Sequence, residues 1–258
     1  MNFTPVNELE QALVAAVGDA AARPAFYRKL LESQVYIVPV GGRPEVENGT
    51  VKAGSQIALQ ALDKEGVRFT PFYSSPEMIA RMSAEPVEYL ALNARAFFEM
   101  TRGSALVMNP NSFGKEFLPA EVDAMLSGQL FEPRERHVAG GNEQVMIGQP
   151  SKFPQALAAA LSKLFKGRLC VTKAFLAQYV NPARNPDPGL LIAVELDNPA
   201  EWDKVIGDAG VVIQSLHPDH KFADFIRYEA GAGGVFDYFA KSVKPFYQRG
   251  FISGMFGG

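Results

Sequence analysis

The segment "NPNSFGK" at residues 109–115 ends in a Gly-Lys pair like that of a phosphate-binding loop. Such a loop has the pattern G-x-x-x-x-G-K-[ST], because its glycines let backbone N–H groups converge on phosphate and its hydroxyl binds the metal. Here Asn109 stands at the first glycine position, and Glu116 follows Lys115 where the hydroxyl belongs. The nucleotide interpretation is therefore rejected. Asn, Pro, Ser and Gly are the residues that a tight turn selects, so a hairpin is predicted.

The single cysteine, Cys170, is a candidate nucleophile or sulfur acceptor. A reactive thiol needs a lowered pKa, which a nearby cation, a histidine or a helix N-terminus supplies. Alternation along "RLCVTKAF" puts Arg168 on the same face as Cys170 and Lys173 on the other. One cysteine also excludes an intrachain disulfide and a cysteine-rich metal site. We predict a buried, small apolar side chain here, and a thiol role is the alternative.

The three histidines, His137, His217 and His220, and one glycine loop are the remaining candidates. The segment "HPDH" places two imidazoles three residues apart, but Pro218 favours an extended turn and no third ligand is near in sequence, which predicts a surface loop. The loop "EAGAGGVF" lacks the spacing of a dinucleotide fingerprint and is predicted to be a turn that caps a helix. Neither G-x-S-x-G nor H-E-x-x-H occurs. No catalytic residue, metal or cofactor is therefore assigned.

The composition of the 258-residue chain is that of a globular protein, with 47% apolar and 21% charged residues and a net charge of −3. Neither half has the positive balance that nucleic-acid binding requires. A cluster of cations is interpreted as a solvated helix end; it consists of Lys163, Lys166, Arg168 and Lys173. The start of the sequence has no secretory pattern, and no window is long and apolar enough for a membrane helix. We expect a cytoplasmic protein that binds neither membrane nor nucleic acid.

Caps and turns predict the elements of the first half. Asn7 and Glu10 form a capping box for one helix, and Pro24 begins a second. A strand is predicted at "QVYIVPV", and two paired strands, "TVKAGSQIALQAL" and "VRFTPFYS", are predicted across "DKEG". Ser75 precedes a short helix, and "EYLALN" and "ARAFFEMT" are predicted as strand and helix. The hairpin around "NSFG" and a helix from Pro119 complete this half.

The second half follows a charged, glycine-bearing linker within residues 127–149. Its predicted elements are "VMIGQP" as a strand, "PQALAAALSKLFK" as a helix, "LCVTKAFLAQYV" and "LLIAVELD" as strands around a proline-rich turn, a helix capped by Asn198, and "FADFIRYEAG" as a strand. The last helix is predicted to carry an apolar stripe of Phe236, Phe239, Val243 and Phe246. The mixed order predicts an α+β fold with two domains, 1–137 and 138–258, each a small, mostly antiparallel sheet packed with helices.

The sequence resembles the SseB family, the "enhanced serine sensitivity" proteins of bacteria. The resemblance is carried by "ALNARAFFEMTRGSALVMNPNSFGKEFLPAEVDAML" and extends to "RPAFYRKLLESQVYIV", "LSKLFKGRLCVTKAFL" and "VFDYFAKSVKPFYQR". It implies a cytoplasmic bacterial α+β protein with an N-terminal SseB domain followed by the C-terminal domain of the family. The resemblance brings no reaction, cofactor or catalytic residue.

Two functions are expected from these observations. The first is a non-enzymatic interaction or regulatory module, linked to serine sensitivity by the resemblance, which binds a protein partner or a second copy through the hairpin or through the apolar tail Phe251–Gly258. Folding of this tail back on the body of the protein is the alternative. The exposed members of the hairpin surface are predicted to be Arg95, Phe98, Asn109, Lys115 and Glu116. Turn formation and packing are the alternative role of these five residues. The second function is a small-molecule sensor or enzyme with a pocket at the domain junction, in which Cys170 or His217 takes part.

Overall fold

A computed structural model describes residues 3–41, 46–47, 50–51, 57–83, 85–110, 112–132, 145–181, 185–216 and 223–250. The chain divides into two compact units. The first consists of Met1–Gly18 and Ala25–Leu130, and the second of Asp19–Pro24 and Phe131–Gly258. The predicted domain boundary at 137/138 lies outside the described residues and stays a prediction.

The first unit is built mainly from short elements. In chain order they are α1 (Glu8–Gly18), α2 (Arg23–Glu32), β1 (Gln34–Ile37), β2 (Val46–Glu47), β3 (Thr50–Val51), β4 (Leu62–Lys64), β5 (Val67–Phe72), α3 (Pro76–Ala80), β6 (Leu90–Asn93), α4 (Ala94–Met100), β7 (Ala105–Met108), β8 (Lys115–Phe117) and α5 (Pro119–Ser127). The predicted helices from Asn7, Pro24, Ser75 and Pro119 are confirmed, as is the hairpin.

Four strands of this unit form one mixed sheet in the order β4-β5-β7-β8. The pairs β4–β5 and β7–β8 are antiparallel, whereas β5 and β7 run parallel. The predicted pairing across "DKEG" is confirmed, with the turn made by Glu65 and Gly66, both at positive φ. Its first strand begins only at Leu62, later than predicted. Two further antiparallel pairs, β1–β6 and β2–β3, lie outside this sheet.

Aromatic rings fill the centre of the first unit. Phe72 at the end of β5 has its ring centroid 5.5 Å from those of Phe97 and Phe98 in α4. Phe117 in β8 adds a ring 6.0 Å from that of Phe98. All four side chains are fully buried, and tilted ring pairs at these distances contribute beyond the apolar area that they bury. Phe117, which faces the core from the hairpin, therefore packs the hairpin against α4.

The second unit is a sheet between helices. Its elements are β9 (Met146–Gly148), α6 (Gln155–Lys166), β10 (Val171–Asn181), β11 (Asn185–Leu196), α7 (Trp202–Leu216), β12 (Ala223–Arg227), α8 (Val235–Ser242) and β13 (Tyr247–Gln248). The strand order is β12-β11-β10-β13, and β9 also pairs with β10. Among the strand pairs of the described residues in this sheet, β11–β12 is the parallel one. The α+β class is confirmed, and β11 begins earlier than predicted, within the proline-rich segment.

The two faces of this sheet are covered by different helices. Alternate residues of β10 and β11 point to opposite faces, as the period of two in a strand requires. On one face, Leu176 and Ile192 join the core formed with α6 and α7. On the other, Phe175 and Ala193 pack with Phe239 of α8.

The predicted stripe on the last helix is only partly correct. Phe236, Phe239 and Val243 belong to the core around α8. The helix ends at Ser242, however, and Phe246 packs instead with the core of α6 and α7 on the opposite face. The strand β13 that follows pairs with β10, so the chain has already left the helix when it reaches Phe246.

Residues 19–24 complete the second unit although they lie early in the sequence. Asp19 caps a single 3-10 turn, Ala20–Ala22, and its carboxylate binds Lys163 of α6 at 2.7 Å. That hydrogen bond lowers the pKa of Asp19. Ala20 and Ala21 pack against the core of α6 and α7, and Arg23 donates to the carbonyl of Ser215. None of the helices in the described ranges combines the length and apolarity needed to cross a bilayer.

Candidate functional site

The hairpin turn is fixed by two backbone features. Asn109 adopts a left-handed conformation with φ of 49°, which Asn tolerates better than most residues. At Gly114, a Cβ would lie 1.9 Å from the carbonyl oxygen of Met108, so the two arms approach too closely for any side chain. The glycine before Lys115 therefore serves chain reversal, which explains the Gly-Lys pair without a phosphate.

Asn109 is buried, so its predicted exposure is wrong. It is 2% exposed, and both the oxygen and the nitrogen of its side-chain amide form hydrogen bonds with Ser74. Its Oδ1 accepts from the backbone N–H of Ser74 at 2.9 Å, and its Nδ2 donates to Ser74 Oγ at 2.8 Å. The backbone N–H of Asn109 donates to the carbonyl of Phe72 at 2.9 Å. A turn asparagine was expected in solvent, but this one joins the hairpin to the end of β5.

A buried carboxyl group extends this network. Glu10, 0% exposed, accepts from Ser74 Oγ at 2.7 Å and from Ser75 Oγ at 3.0 Å. Its second oxygen accepts from the backbone N–H of Val6 at 2.8 Å. Glu10 was predicted only as part of a helix cap. The Asn7 part of that cap is confirmed, since Asn7 Oδ1 accepts from the Glu10 N–H at 2.9 Å.

Phe98 is also buried, contrary to the predicted exposure. Its side chain is 0% exposed, because α4 turns both Phe97 and Phe98 towards the sheet. Ring contacts with Phe72 and Phe117 complete its surroundings. Phe98 packs against the buried side of the hairpin, at Phe117, and does not reach the protein surface.

The other three predicted residues lie at the surface. Lys115 is partly buried and binds Glu121 of α5 at 2.9 Å, while Tyr27 donates to the same carboxylate at 2.7 Å. Glu116 is exposed and pairs with Lys64 at 2.5 Å. Arg95 is exposed and donates to the carbonyl of Leu126, in the last turn of α5. All three therefore remain accessible to a partner.

Leu118 is a surface residue that sequence reasoning missed. It occupies the N-cap position of α5, makes no side-chain cap hydrogen bond and is 55% exposed. An apolar residue is among the poorest choices at this position, and that mismatch was visible in the sequence. We refer to Arg95, Lys115, Glu116 and Leu118 as the hairpin surface: Leu118 is the N-cap of α5, Lys115 and Arg95 contact its first and last turns, and Glu116 precedes Leu118 by two residues in the chain. It combines one exposed apolar side chain with groups of both charges.

Cys170 lies in an environment that disfavours the thiolate. The side chain is half-buried against the core of α6 and α7. Burial raises the pKa of the thiol, and the carboxylates of Glu201 and Asp197 act in the same direction. Arg168, the expected activating cation, pairs with the fully buried carboxylate of Asp208, and its lowering effect on the pKa of Cys170 is smaller than the raising effects of burial, Glu201 and Asp197. These surroundings weaken the thiol role.

We expect alkylation of Cys170 in the native chain to follow a titration curve whose midpoint lies at higher pH than in the unfolded chain, because burial raises the pKa of the thiol. The protonated thiol is unreactive, and burial shifts thiolate formation to higher pH. The measurement is the rate of iodoacetamide incorporation against pH, with the urea-unfolded chain as reference. A midpoint close to neutrality would instead restore the nucleophile interpretation.

The remaining candidates carry no assembled site in the described ranges. His137, His217 and His220 lie outside the described residues, as does the tail from Phe251. Among described side chains, no group of three or more His, Cys, Asp or Glu residues is suited to a metal ion. In the glycine loop, Gly231, Gly233 and Gly234 all have positive φ, and Gly234 directly precedes α8, as a capping turn requires.

Comparisons with known proteins agree with the resemblance. The model of the SseB protein N-terminal domain matches residues 9–124, and that of the SseB protein C-terminal domain matches residues 139–249. Protein SseB of Escherichia coli strain K12 is 29% identical over 245 residues, covering 94% of this chain and 92% of the relative, and Protein SseB of Shigella flexneri gives the same figures. No solved structure matches. With both domain models matched in order along its length, the chain belongs to the SseB family.

Proposed function

We propose that this chain is a non-enzymatic cytoplasmic protein that acts as an interaction or regulatory module, in a role linked to serine sensitivity. In this proposal a protein partner binds the hairpin surface. The partner places an apolar side chain against Leu118 and charged groups opposite Arg95 and Glu116. A second copy of the chain is an outcome that the experiment below separates from this one.

The exposure of Leu118 at a helix cap is the observation that supports the proposal. Ser, Thr, Asp and Asn at an N-cap accept from the first free N–H groups of the helix, which a leucine cannot do. Leu118 also leaves more than half of its side chain in water. A residue that serves neither the cap nor the core departs from the local rules, and such departures concentrate at functional sites.

The polar residues of the hairpin surface supply charged groups that a partner could bind. Protein interfaces combine an apolar centre with accessible charged and hydrogen-bonding groups, and arginine is enriched among the residues that dominate binding. Partly buried Lys115 and exposed Arg95 provide such groups at the two ends of α5, and exposed Glu116 provides another in β8. Phe98 and Asn109 act indirectly, by holding α4 and the turn in place.

Groups that would serve catalysis elsewhere are used here for structure. The Glu10 carboxyl accepts from three neutral donors, and the Asn109 amide is hydrogen-bonded to Ser74 and Phe113. The surroundings of Cys170 disfavour its reactive form. These arrangements support a binding role over a catalytic one.

The Leu118→Ser variant separates binding from folding. A serine at this position is able to cap α5, so we expect the free energy of unfolding to rise by about 0.5–1 kcal/mol. In affinity capture from native lysate, we expect the partner retained by the unchanged chain to be lost. The partner is identified by mass spectrometry, purified and titrated calorimetrically against both chains.

Met146→Ser is the matched control, since Met146 is 61% exposed on β9 in the second unit. It is expected to retain the partner. Equal capture by the Leu118→Ser and unchanged chains would reject the hairpin surface as the binding site. A captured species that proves to be only the chain itself, with a mass doubled in light scattering, would replace the partner by a second copy.

A further inference from the structure

A phenol and a thioether are hydrogen-bonded beside α3 in the first unit. The hydroxyl of Tyr73 donates to the Sδ of Met82 at 2.8 Å. Tyr73 directly follows β5, and Met82 lies two residues after the end of α3. The pair therefore joins the end of a sheet strand to the end of the short helix that comes next in the chain.

The donor of this hydrogen bond is buried and held in place. Tyr73 is 1% exposed and packs with Met78 and Ile79 of α3. Its backbone N–H and carbonyl are both hydrogen-bonded to the backbone of Tyr36, at 2.8 and 2.9 Å. Burial also raises the pKa of Tyr73, so the phenol stays protonated and able to donate at neutral pH.

The acceptor, in contrast, is a poor one. A thioether sulfur accepts hydrogen bonds only weakly, and a buried hydroxyl without a good acceptor costs free energy. Among the described residues, no oxygen or nitrogen atom accepts from the Tyr73 hydroxyl in place of the sulfur. This hydroxyl is therefore a buried donor whose hydrogen-bonding capacity is only partly used.

Solvent reaches Met82, which distinguishes it from the neighbouring thioether. Met82 is 43% exposed, whereas Met78 is 2% exposed, although its sulfur also accepts a hydrogen bond, from Ser112 at 3.7 Å. Met100 and Met146 are more exposed, but within the described ranges no hydrogen bond reaches either sulfur. Of these four methionines, Met82 combines access for a small oxidant with a donor beside the sulfur.

We propose that Met82 is an oxidation site for hydrogen peroxide and that the Tyr73 hydroxyl binds the sulfoxide that forms. The thioether sulfur attacks one peroxide oxygen, so an S–O bond forms and the O–O bond breaks. The sulfur loses two electrons, and the second oxygen leaves as hydroxide, which takes the proton of the transferred oxygen and becomes water. This inference does not involve the hairpin surface, so either proposal can fail alone.

The sulfoxide is expected to tighten the contact between α3 and β5. Its oxygen is a polar acceptor, which satisfies the buried hydroxyl better than the sulfur does. Because Met82 is partly exposed and follows the end of α3, its side chain has room to withdraw and place the oxygen against the phenol. Oxidation of a core methionine disrupts packing, whereas here it supplies a missing acceptor. Enzymatic reduction of sulfoxides makes such a change reversible.

Mass spectrometry of the full chain after treatment with hydrogen peroxide tests the site. Trypsin cuts after Arg81, so Met82, Met78 and Met100 fall in three different peptides. We expect Met82 to be oxidised at a peroxide dose that oxidises exposed Met100 and leaves buried Met78 unchanged. Protection of Met82 at that dose would overturn the proposal.

Hydrogen exchange of residues 70–81 tests the consequence. We expect these amides to exchange about fivefold more slowly after oxidation, the factor that corresponds to one typical net hydrogen bond. The matched variants are Tyr73→Phe, which lacks the donor, and Met82→Leu, which lacks the sulfur. Each variant is compared with itself before and after peroxide, so an effect of the substitution on stability cancels. In both variants we expect treatment to leave the exchange rate unchanged.

Several results would contradict the proposal. Equal exchange in the treated and untreated chains would overturn it, as would faster exchange after treatment. The same slowing in the Met82→Leu chain would assign the effect to another oxidised residue. The same slowing in the Tyr73→Phe chain would show that the phenol does not bind the sulfoxide, and either of these results would also overturn it.

Discussion

The Glu10→Ala variant is expected to lose about 3 kcal/mol or more of the stability of the first unit. The substitution removes the acceptor of two buried hydroxyls, those of Ser74 and Ser75, and of the N–H of Val6, a residue that is 52% exposed; Ser74 keeps only a longer bond, 3.1 Å, to Asn109 Oδ1. Each buried donor without a partner costs about 1–3 kcal/mol. The loss extends to Asn109, because its amide donates to the Ser74 hydroxyl that Glu10 orients.

Hydrogen exchange measured by mass spectrometry tests this expectation, because peptides from α1, β5 and the hairpin report on the first unit directly. Glu8→Ala is the matched control: Glu8 lies in the same helical turn, but its side chain is 79% exposed in a pair with Lys29. Exposed ion pairs contribute little, so this variant should exchange like the unchanged chain. Similar exchange in the Glu10 and Glu8 variants would show that the buried network does not stabilise the unit.

Alanine substitutions at two glycines of α7 are expected to change the free energy of unfolding in opposite directions. At Gly207 an added Cβ would lie 1.9 Å from the backbone oxygen of Phe131, so Gly207→Ala forces two backbone segments apart. We expect the free energy of unfolding to fall by about 1–3 kcal/mol, the usual cost of overpacking. At Gly210 no atom lies within 4 Å of an added Cβ, so Gly210→Ala is expected to gain about 0.5–1 kcal/mol from helix propensity.

Trp202 makes this comparison simple to measure. It is the single tryptophan of the chain and begins α7, so its fluorescence during urea unfolding reports on the helix that carries both substitutions. The midpoint should fall for Gly207→Ala and rise for Gly210→Ala. If the midpoint rose for Gly207→Ala as well, helix propensity would outweigh the contact with Phe131 and our account of Gly207 would be incorrect.

Local signals in the sequence were sufficient to predict most elements. The cap at Asn7, the first-turn prolines Pro76 and Pro119 and the turn at Gly114 each act within a few residues, so their effect is readable from a single segment. The hairpin between β7 and β8 was predicted on this basis. The α+β class followed from the same elements in their order.

Contacts between distant residues were not predictable in this way. Asn109 and Ser74 are 35 residues apart, and Glu10 and Ser74 are 64 apart, so no local pattern indicates that they share a hydrogen-bond network. The same limit explains the errors at Phe98 and Asn109, whose burial depends on what lies opposite them. The parallel pairing of β5 with β7 is likewise a property of the assembled sheet.

The membership of residues 19–24 in the second unit has a consequence for how this protein can be divided. The match to the N-terminal family domain, residues 9–124, contains this segment, whereas packing assigns it to the other unit. A fragment that starts after residue 130 would expose the apolar surface beneath Ala20 and Ala21 and would leave Lys163 without Asp19. During synthesis these six residues leave the ribosome long before α6 and α7. The segment can therefore pack in the second unit only after both helices have been synthesised. Recombination between the two family domains would therefore separate residues 19–24 from the second unit that they complete. We expect the two domains to be inherited together.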